Sequence, residues 1–473
     1  MRRESEKGRA NPMAMSAEER QQMLLTQPVE KIIPKMALPT ICSMLITSIY
    51  NMADTYFVSQ IGTAEATASG ASAAVGIVFS AMAMIQALAF MFGMGSGTNV
   101  SHLLGMGKRK EAEVYSAVGF FSAVAAGVLI AVLGNVFNEP LMRLLGATET
   151  AMPYALDYAR YIFLAAPFMM GSLSMNNLLR FQGLATYGMV GIISGGVLNM
   201  LLDPLLIFVF DMGIAGASIA TAISQLTSFA ILLVMCSTHA DAITIHPRNY
   251  RPTKQMYAKI LNNGLPSLGR QGIMSVSTSL LNNAAAVYGD PAIAAFAIVS
   301  RCLNFVNSTV VGFGQGFQPV CGFNYGARKY DRMHRAFSFS VKVTTLVLMG
   351  LGAAGFAFAE PVVTLFRRSD PEVIRIGTET FRIQILTVWA WGFITLSNMY
   401  TQAIGYGIRS TILAAARQGL FLIPTLLVLP NVWGLRGLEV CQPLADVLTL
   451  ALAVWMMTKV IRAQKAQMAQ ETA

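Results

Sequence analysis

The chain has 473 residues, 54% of them hydrophobic and 12% charged, with a mean hydropathy of +0.54. Soluble domains carry about 25% charged residues, so a water-soluble globular fold is excluded and a bilayer is the implied solvent. The net charge of +10 would raise nucleic acid in a soluble protein. Here Lys and Arg sit between apolar stretches, where they set topology, and no nucleic-acid partner is expected.

Residues 1–30 are polar and basic (Arg2, Arg3, Lys7, Arg9, Arg20) and read as a cytoplasmic segment without a cleaved signal peptide. About 12 apolar stretches follow at 32–60, 69–99, 112–134, 157–182, 188–210, 213–238, 257–288, 291–322, 333–358, 374–405, 410–430 and 434–460. Each reaches the ~20 residues a spanning helix needs. The first two, and their counterparts at 257–322, exceed that length and should tilt or protrude. A closed barrel would need short alternating segments, which this sequence lacks. The polar stretch 239–256 reads as a cytoplasmic linker between bundles at 31–238 and 257–462, with a cytoplasmic tail at 463–473.

Every second connection is basic: Lys108-Arg109-Lys110, Arg180, Arg248 to Lys259, Arg328-Lys329 to Arg335, and Arg409. The opposite connections are poorer; 60–68 and Gly289-Asp290-Pro291 have no Lys or Arg, while Arg143, Arg367, Arg368 and Arg375 run against the trend. This asymmetry predicts that both termini are cytoplasmic.

The halves repeat their punctuation. Leu38-Pro39 and Leu265-Pro266 are 227 residues apart, as are Gly62 and Gly289. Gly93-x-Gly95-x-Gly97 matches Gly312-x-Gly314-x-Gly316 at 219, Gly107 matches Gly326 at 219, and Gly213-x-x-Gly216 matches Gly434-x-x-Gly437 at 221. Six spans per half insert both copies the same way up. An all-α membrane protein is therefore predicted, with two six-helix bundles related by a pseudo-two-fold axis along the membrane normal. The glycine triplets lie inside long apolar stretches rather than between a strand and a helix, so they read as helix-packing positions and not as a nucleotide loop.

Three passages have a familiar look: Tyr50-Asn51-Met52-Ala53-Asp54-Thr55-Tyr56-Phe57-Val58, Asn199-Met-Leu-Leu-Asp203-Pro204, and Gly314-Gln315-Gly316-Phe-Gln318-Pro319 leading to Asn324-Tyr325-Gly326-Ala327. Over about residues 30 to 460 the chain resembles the multidrug and toxic compound extrusion (MATE) family, nearest its bacterial MepA-like branch. The resemblance implies a V-shaped pair of bundles in a bacterial cytoplasmic membrane, acting as a monomer. It implies export of varied, often cationic small molecules in exchange for sodium ions or protons, with no other cofactor.

Charges within spans are expensive and are kept for structural or functional reasons. Asp54 and Asp203 each stand ~6–7 residues before the outer end of a span, hence ~10 Å deep. Asn199 is one turn from Asp203, and Thr221 has similar depth in the next span. Such oxygens suit a hard cation such as sodium, and two close carboxylates equally suit a proton. The resemblance assigns Asp54, Asn176, Asn199, Asp203 and Thr221 to a cation-linked site. In the second half the matched positions are Leu281 and Thr425, so the fold itself does not demand acids. Spans seven and ten of that half also lack the acids of the family's sodium-linked members, which puts a second sodium site in doubt. Arg270, Arg301 and Arg417, with Glu439 and Asp446, are expected to form an ion-pair network or to face substrate. Met82, Met84, Met169, Met170, Trp389 and Trp391 are candidates to line an adaptable cavity.

Five Cys without CxxC or CxxH spacing support neither disulfides nor a metal site beyond sodium. The sequence shows no Walker motif, so direct ATP hydrolysis is not expected. An enzyme would need a catalytic cluster inside the spans, and the four His lie at segment ends or in loops. The remaining alternative to an exporter is a flippase for lipid-linked sugars.

Overall fold

A computed structural model of the chain describes residues 15–61, 65–238, 242–366 and 370–472. Arg2, Arg3, Lys7, Arg9, Gly62, His239, Arg367 and Arg368 lie outside the described residues. Among those described there is no strand.

The first half comprises α1 (Ala17–Thr26), α2 (Val29–Ser59), α3 (Glu65–Gly105), α4 (Arg109–Val136), α5 (Asn138–Leu144), α6 (Met152–Phe181), α7 (Ala185–Pro204) and α8 (Gly213–Thr238). The second comprises α9 (Lys254–Ala286), α10 (Asp290–Gly326), α11 (Tyr330–Ala357), α12 (Ala359–Phe366), α13 (Pro371–Ile385), α14 (Val388–Ala403), α15 (Gly407–Ala415) and α16 (Leu422–Thr472). Single π-turns, Leu205–Val209 and Ala416–Leu420, extend α7 and α15. The short α1 starts on a capping box between Ser16 and Glu19, which satisfies two otherwise orphaned backbone donors.

Nine helical stretches are long and apolar enough to cross a bilayer. The longest, Gly407–Gln470, turns at Gly434 (φ 60°, ψ −139°) and so supplies two passes. With α9 and the α13–α14 pair, which breaks near Leu386, the described residues make the twelve passes predicted. Asn324 Nδ2 donates to the Leu24 carbonyl, and Tyr400 and His334 both bond Gln464 Oε1. These bonds place α1 and the last turns of α16 at one face, called here the terminal face.

The repeat is regular, but its register differs from the one the glycines suggest. α4 and α11 begin 221 residues apart (330 − 109) and end 221 apart (357 − 136); α5 and α12 also start 221 apart (359 − 138). Gly107 and Arg328 both adopt left-handed backbone (φ 77° and 57°) ahead of a lysine with ψ 63°. Gly107 therefore corresponds to Arg328, not Gly326: the turn's conformation is preserved while its glycine is not. At the same spacing Gly93 and Gly95 correspond to Gly314 and Gly316. Packing agrees, since Gly93 abuts α6 at Asn177 and Gly314 abuts α14 at Met399.

Backbone contact across the molecule follows a two-fold pattern. α2 packs on α10, α3 packs on α9, and α3 and α10 pack on each other. Exchanging the halves maps this set onto itself, as an isologous interface requires. A Cβ on Gly95 would overlap the Ile260 carbonyl, and one on Gly316 the Ala37 backbone. Gly105 and Gly326 abut the carbonyls of Phe323 and His102 in the same reciprocal way. Small residues thus let four long helices touch backbone to backbone, as the triplets predicted. Gly264 meets Met91 and Gly312 meets Ile41, so α2 and α9 correspond at 223 residues (264 − 41). That is one helical turn from the proline-based 227. It moves the counterpart of Asp54 from Leu281 to Ser277, still no acid.

A bulky side chain at this seam should cost about 1–3 kcal/mol through overpacking. Gly316→Val is expected to lower thermal stability of the purified protein accordingly. Gly350→Ala, where a Cβ meets open space, is expected to leave it unchanged or slightly raised. An equally stable G316V protein would contradict the close approach.

Candidate functional site

The acid cluster lies inside the first half. Asp203, in the last turn of α7, is 0% exposed, with Asn199 and Thr221 at 2% and 5%. Asn199 Nδ2 donates to Asp203 Oδ1 (3.1 Å) and to Thr221 Oγ1 (3.4 Å). From the neighbouring α2, Asp54 accepts a hydrogen bond from Tyr158 of α6 at Oδ2 (3.3 Å). Asp54 and Asp203 are near enough for their charges to interact, and Tyr158 is within range of both. Tyr50, one turn below Asp54, packs against Gly196 and fixes the depth of α2 on α7.

This arrangement is short of donors. Asp54 Oδ1, Asn199 Oδ1 and Asp203 Oδ2 are all buried without a hydrogen-bond partner. A buried acceptor left unpaired costs about 1–3 kcal/mol, and more if charged. Three oxygens in one place, beside a threonine hydroxyl, make a cation-ready set; protonation of the acids would relieve the same deficit.

Four of the five residues in the predicted site come together: Asp54, Asn199, Asp203 and Thr221. Asn176 does not join them. Its amide lies beside Gly188, fifteen residues before Asp203 on α7, roughly 22 Å of helix. The reason is the tight α6–α7 hairpin at Gln182–Leu184, which keeps Asn176 near the terminal face. Tyr158 was not singled out by the sequence. Its signal was depth: it stands about as far from the end of α6 opposite the terminal face as Asp54 does from that of α2.

The second half holds a different centre. Asp446, 0% exposed on α16, accepts from Arg417 Nε (2.8 Å), Trp391 Nε1 (2.7 Å), Thr387 Oγ1 (2.9 Å) and Gln442 Nε2 (3.0 Å). The Arg417 guanidinium also stacks on Trp391, 3.9 Å from the ring centroid. Here the expected ion pair exists. Glu439 instead takes a hydroxyl from Thr380, and among the described residues Arg270 and Arg301 pair with no carboxylate. The network thus joins Arg417 to Asp446 and leaves the other two arginines out.

A polar chain ties the halves together near the terminal face. Arg180, only 1% exposed, donates to the Gln315 carbonyl (2.9 Å) and to Gln318 Oε1 (3.2 Å), and bonds Asn177. Gln318 donates to Gln402 (3.0 Å), which donates to the Asn263 carbonyl and to Ser267. The sequence placed Arg180 in a basic connection. In the structure it is a buried residue of α6 reaching across to α10.

Of the candidate cavity residues, Met82, Met169 and Met170 are buried in the first-half core, and Trp391 is buried at Asp446. Met84 and Trp389 are exposed.

The matches to known proteins follow this geometry. The MatE family model matches the chain twice, at residues 39–205 and 266–427, once on each half. The chain belongs to the MatE family. It is 27% identical over 413 residues to the multidrug export protein MepA of Staphylococcus aureus strain MSSA476, covering 87% of this chain and 89% of that protein. It is 26% identical to MepA of Staphylococcus haemolyticus, covering 90% of this chain and 92% of that protein. A structure described as the outward-facing conformation of a multidrug resistance MATE family transporter superposes with a TM-score of 0.88 at 25% identity. That likeness covers 94% of this chain and 98% of the other. This MatE chain is accordingly a multi-pass membrane protein of a multidrug efflux transporter family. Relatives named for drug export do not favour the flippase alternative.

Removing one partner of a buried ion pair costs about 3–5 kcal/mol because the other charge is stranded. Asp446→Asn is expected to destabilise the protein strongly, and Asp446→Asn with Arg417→Gln to recover part of the loss. Thermal unfolding of the three proteins checks this; a double variant no better than D446N would contradict the pairing.

Proposed function

We propose that this chain is a secondary antiporter, acting as a monomer in the bacterial cytoplasmic membrane. It exports small molecules in exchange for sodium ions or protons bound at Asp54, Asn199, Asp203 and Thr221. The observation that carries this reading is the trio of buried, donor-free oxygens on Asp54, Asn199 and Asp203. The second half has Ser277 where the first has Asp54, and Leu426 where it has Asp203, using the 223-residue spacing of Leu206 and Leu429. The acids are therefore not a requirement of the helix packing.

Ion binding would stabilise one arrangement of the first half, and cargo would stabilise the other. Coupling is then the difference in ion affinity between the two states. The basic turns Lys108-Arg109-Lys110 and Arg328-Lys329 share the terminal face with α1 and the last turns of α16, which supports a cytoplasmic terminal face. The glycine seam and the Arg180 chain close that side.

In vesicles, Asp54→Asn and Asp203→Asn are each expected to abolish efflux driven by a sodium or pH gradient. Asn176→Ala is expected to retain it. Running the two gradients separately identifies the ion. Undiminished gradient-driven efflux in both acid variants would refute the reading.

A further inference from the structure

The arginines left out of the ion pair have a shared direction. Ser308 of α10 bonds Ser48 of α2 across the halves (2.8 Å). Arg301 and Asn304 stand seven and four residues before Ser308, on the same helical face, and both are exposed. They face the cleft beyond the seam. On α9, Ser267 touches Met94 of α3 and Gln402, and Arg270 lies one turn farther on the same side, half-buried. Its charge is felt by Arg180.

Depth follows from the seam, where Gly264 and Gly312 sit level by the two-fold. Arg270 is six residues beyond Gly264 and Arg301 eleven beyond Gly312, or ~9 Å and ~16 Å. The two cations are staggered by roughly 7 Å along the cleft. On the facing helices, Ser48, Met52 and Thr55 of α2 and Met84 and Ser80 of α3 carry no charge. Asp54 points the other way, to Tyr158 inside the first half. The Arg417 charge is already met by Asp446.

An arginine at membrane depth without a counter-charge is costly. The fold does not need these two, because their repeat partners are Thr47 and Ser80. We infer that Arg270 and Arg301 form an anion-binding wall in the cleft and that the exported cargo is an amphiphile bearing a carboxylate, sulfonate or phosphate. Guanidinium forks bind such groups in bidentate fashion, while the exposed Met84 on the opposite wall offers adaptable apolar contact. This departs from the cationic cargo that the family resemblance implied. It rests on the exporter reading for the cleft being the cargo path, but is tested without any gradient.

The test is equilibrium binding to the full-length protein in neutral-lipid nanodiscs. The probes are anionic sulforhodamine and a cationic rhodamine ester, which share one ring system. The parent is expected to bind the anion more tightly. Arg270→Gln and Arg301→Gln should each weaken anion binding about tenfold, the scale of one charge-assisted contact, while Arg270→Lys stays within a few-fold. Arg270→Glu with Arg301→Glu should reverse the preference. A parent that prefers the cation, or anion binding untouched by both Gln variants, overturns the inference. So does displacement of the dye by phosphatidylglycerol added to the nanodisc, which would assign the wall to a lipid headgroup. Ion-driven efflux lost in D54N and D203N would leave the exporter reading standing in any of these cases.

Discussion

The backbone contact of α2, α3, α9 and α10 is the constraint on which the rest of the molecule depends. Four helices can meet this closely only where side chains vanish, and Gly95, Gly264, Gly312 and Gly316 stand at those points. In lipid no hydrophobic drive holds two bundles together, so van der Waals contact and buried hydrogen bonds must do it. The seam supplies the first, and the chain from Arg180 through Gln318 and Gln402 supplies the second. Because both lie toward one face, the halves are joined most extensively there.

Against this symmetric frame the charges are asymmetric. The first half holds two carboxylates, Asp203 buried and Asp54 half-buried, each with one buried oxygen that lacks a donor. The second satisfies its deepest carboxylate with four donors and turns two other arginines to the cleft. Asp446 is thus a fastener, holding α14, α16 and the π-turn after α15 to one another. Asp54 and Asp203 are the reverse, a place where the packed fold leaves an electrostatic deficit. A deficit that an ion can fill is what lets an ion gradient bias a conformational equilibrium. The π-turn Leu205–Val209, two residues beyond Asp203, suits that role, since such irregular turns are frequent at functional sites.

Much of this was legible in the sequence for physical reasons. Twelve spans follow from hydropathy, because lipid leaves the backbone no alternative to helix. The duplication showed in its punctuation, and the cluster of Asp54, Asn199, Asp203 and Thr221 in matched depth and helical phase. The misses share one cause: sequence landmarks report residue type, whereas packing preserves geometry. Gly107 and Arg328 occupy the same left-handed turn with different side chains, so a glycine-based alignment slipped by two residues. Pro39 and Pro266 misled by one helical turn. Arg180 looked like a topology signal, because hydropathy cannot tell a basic loop from a buried cation that crosses to another helix. Asn176 follows from the family pattern but not from this chain's α6–α7 hairpin, which holds it near the terminal face.

The most direct measurement is equilibrium ion binding to the purified protein, with radioactive sodium and, separately, proton uptake on acidification. Binding of one of these ions should disappear in Asp203→Asn and persist in Arg270→Gln, which leaves the first half intact. Ion binding that survives in Asp203→Asn and Asp54→Asn alike would show that the donor-poor cluster is not where the coupling ion resides.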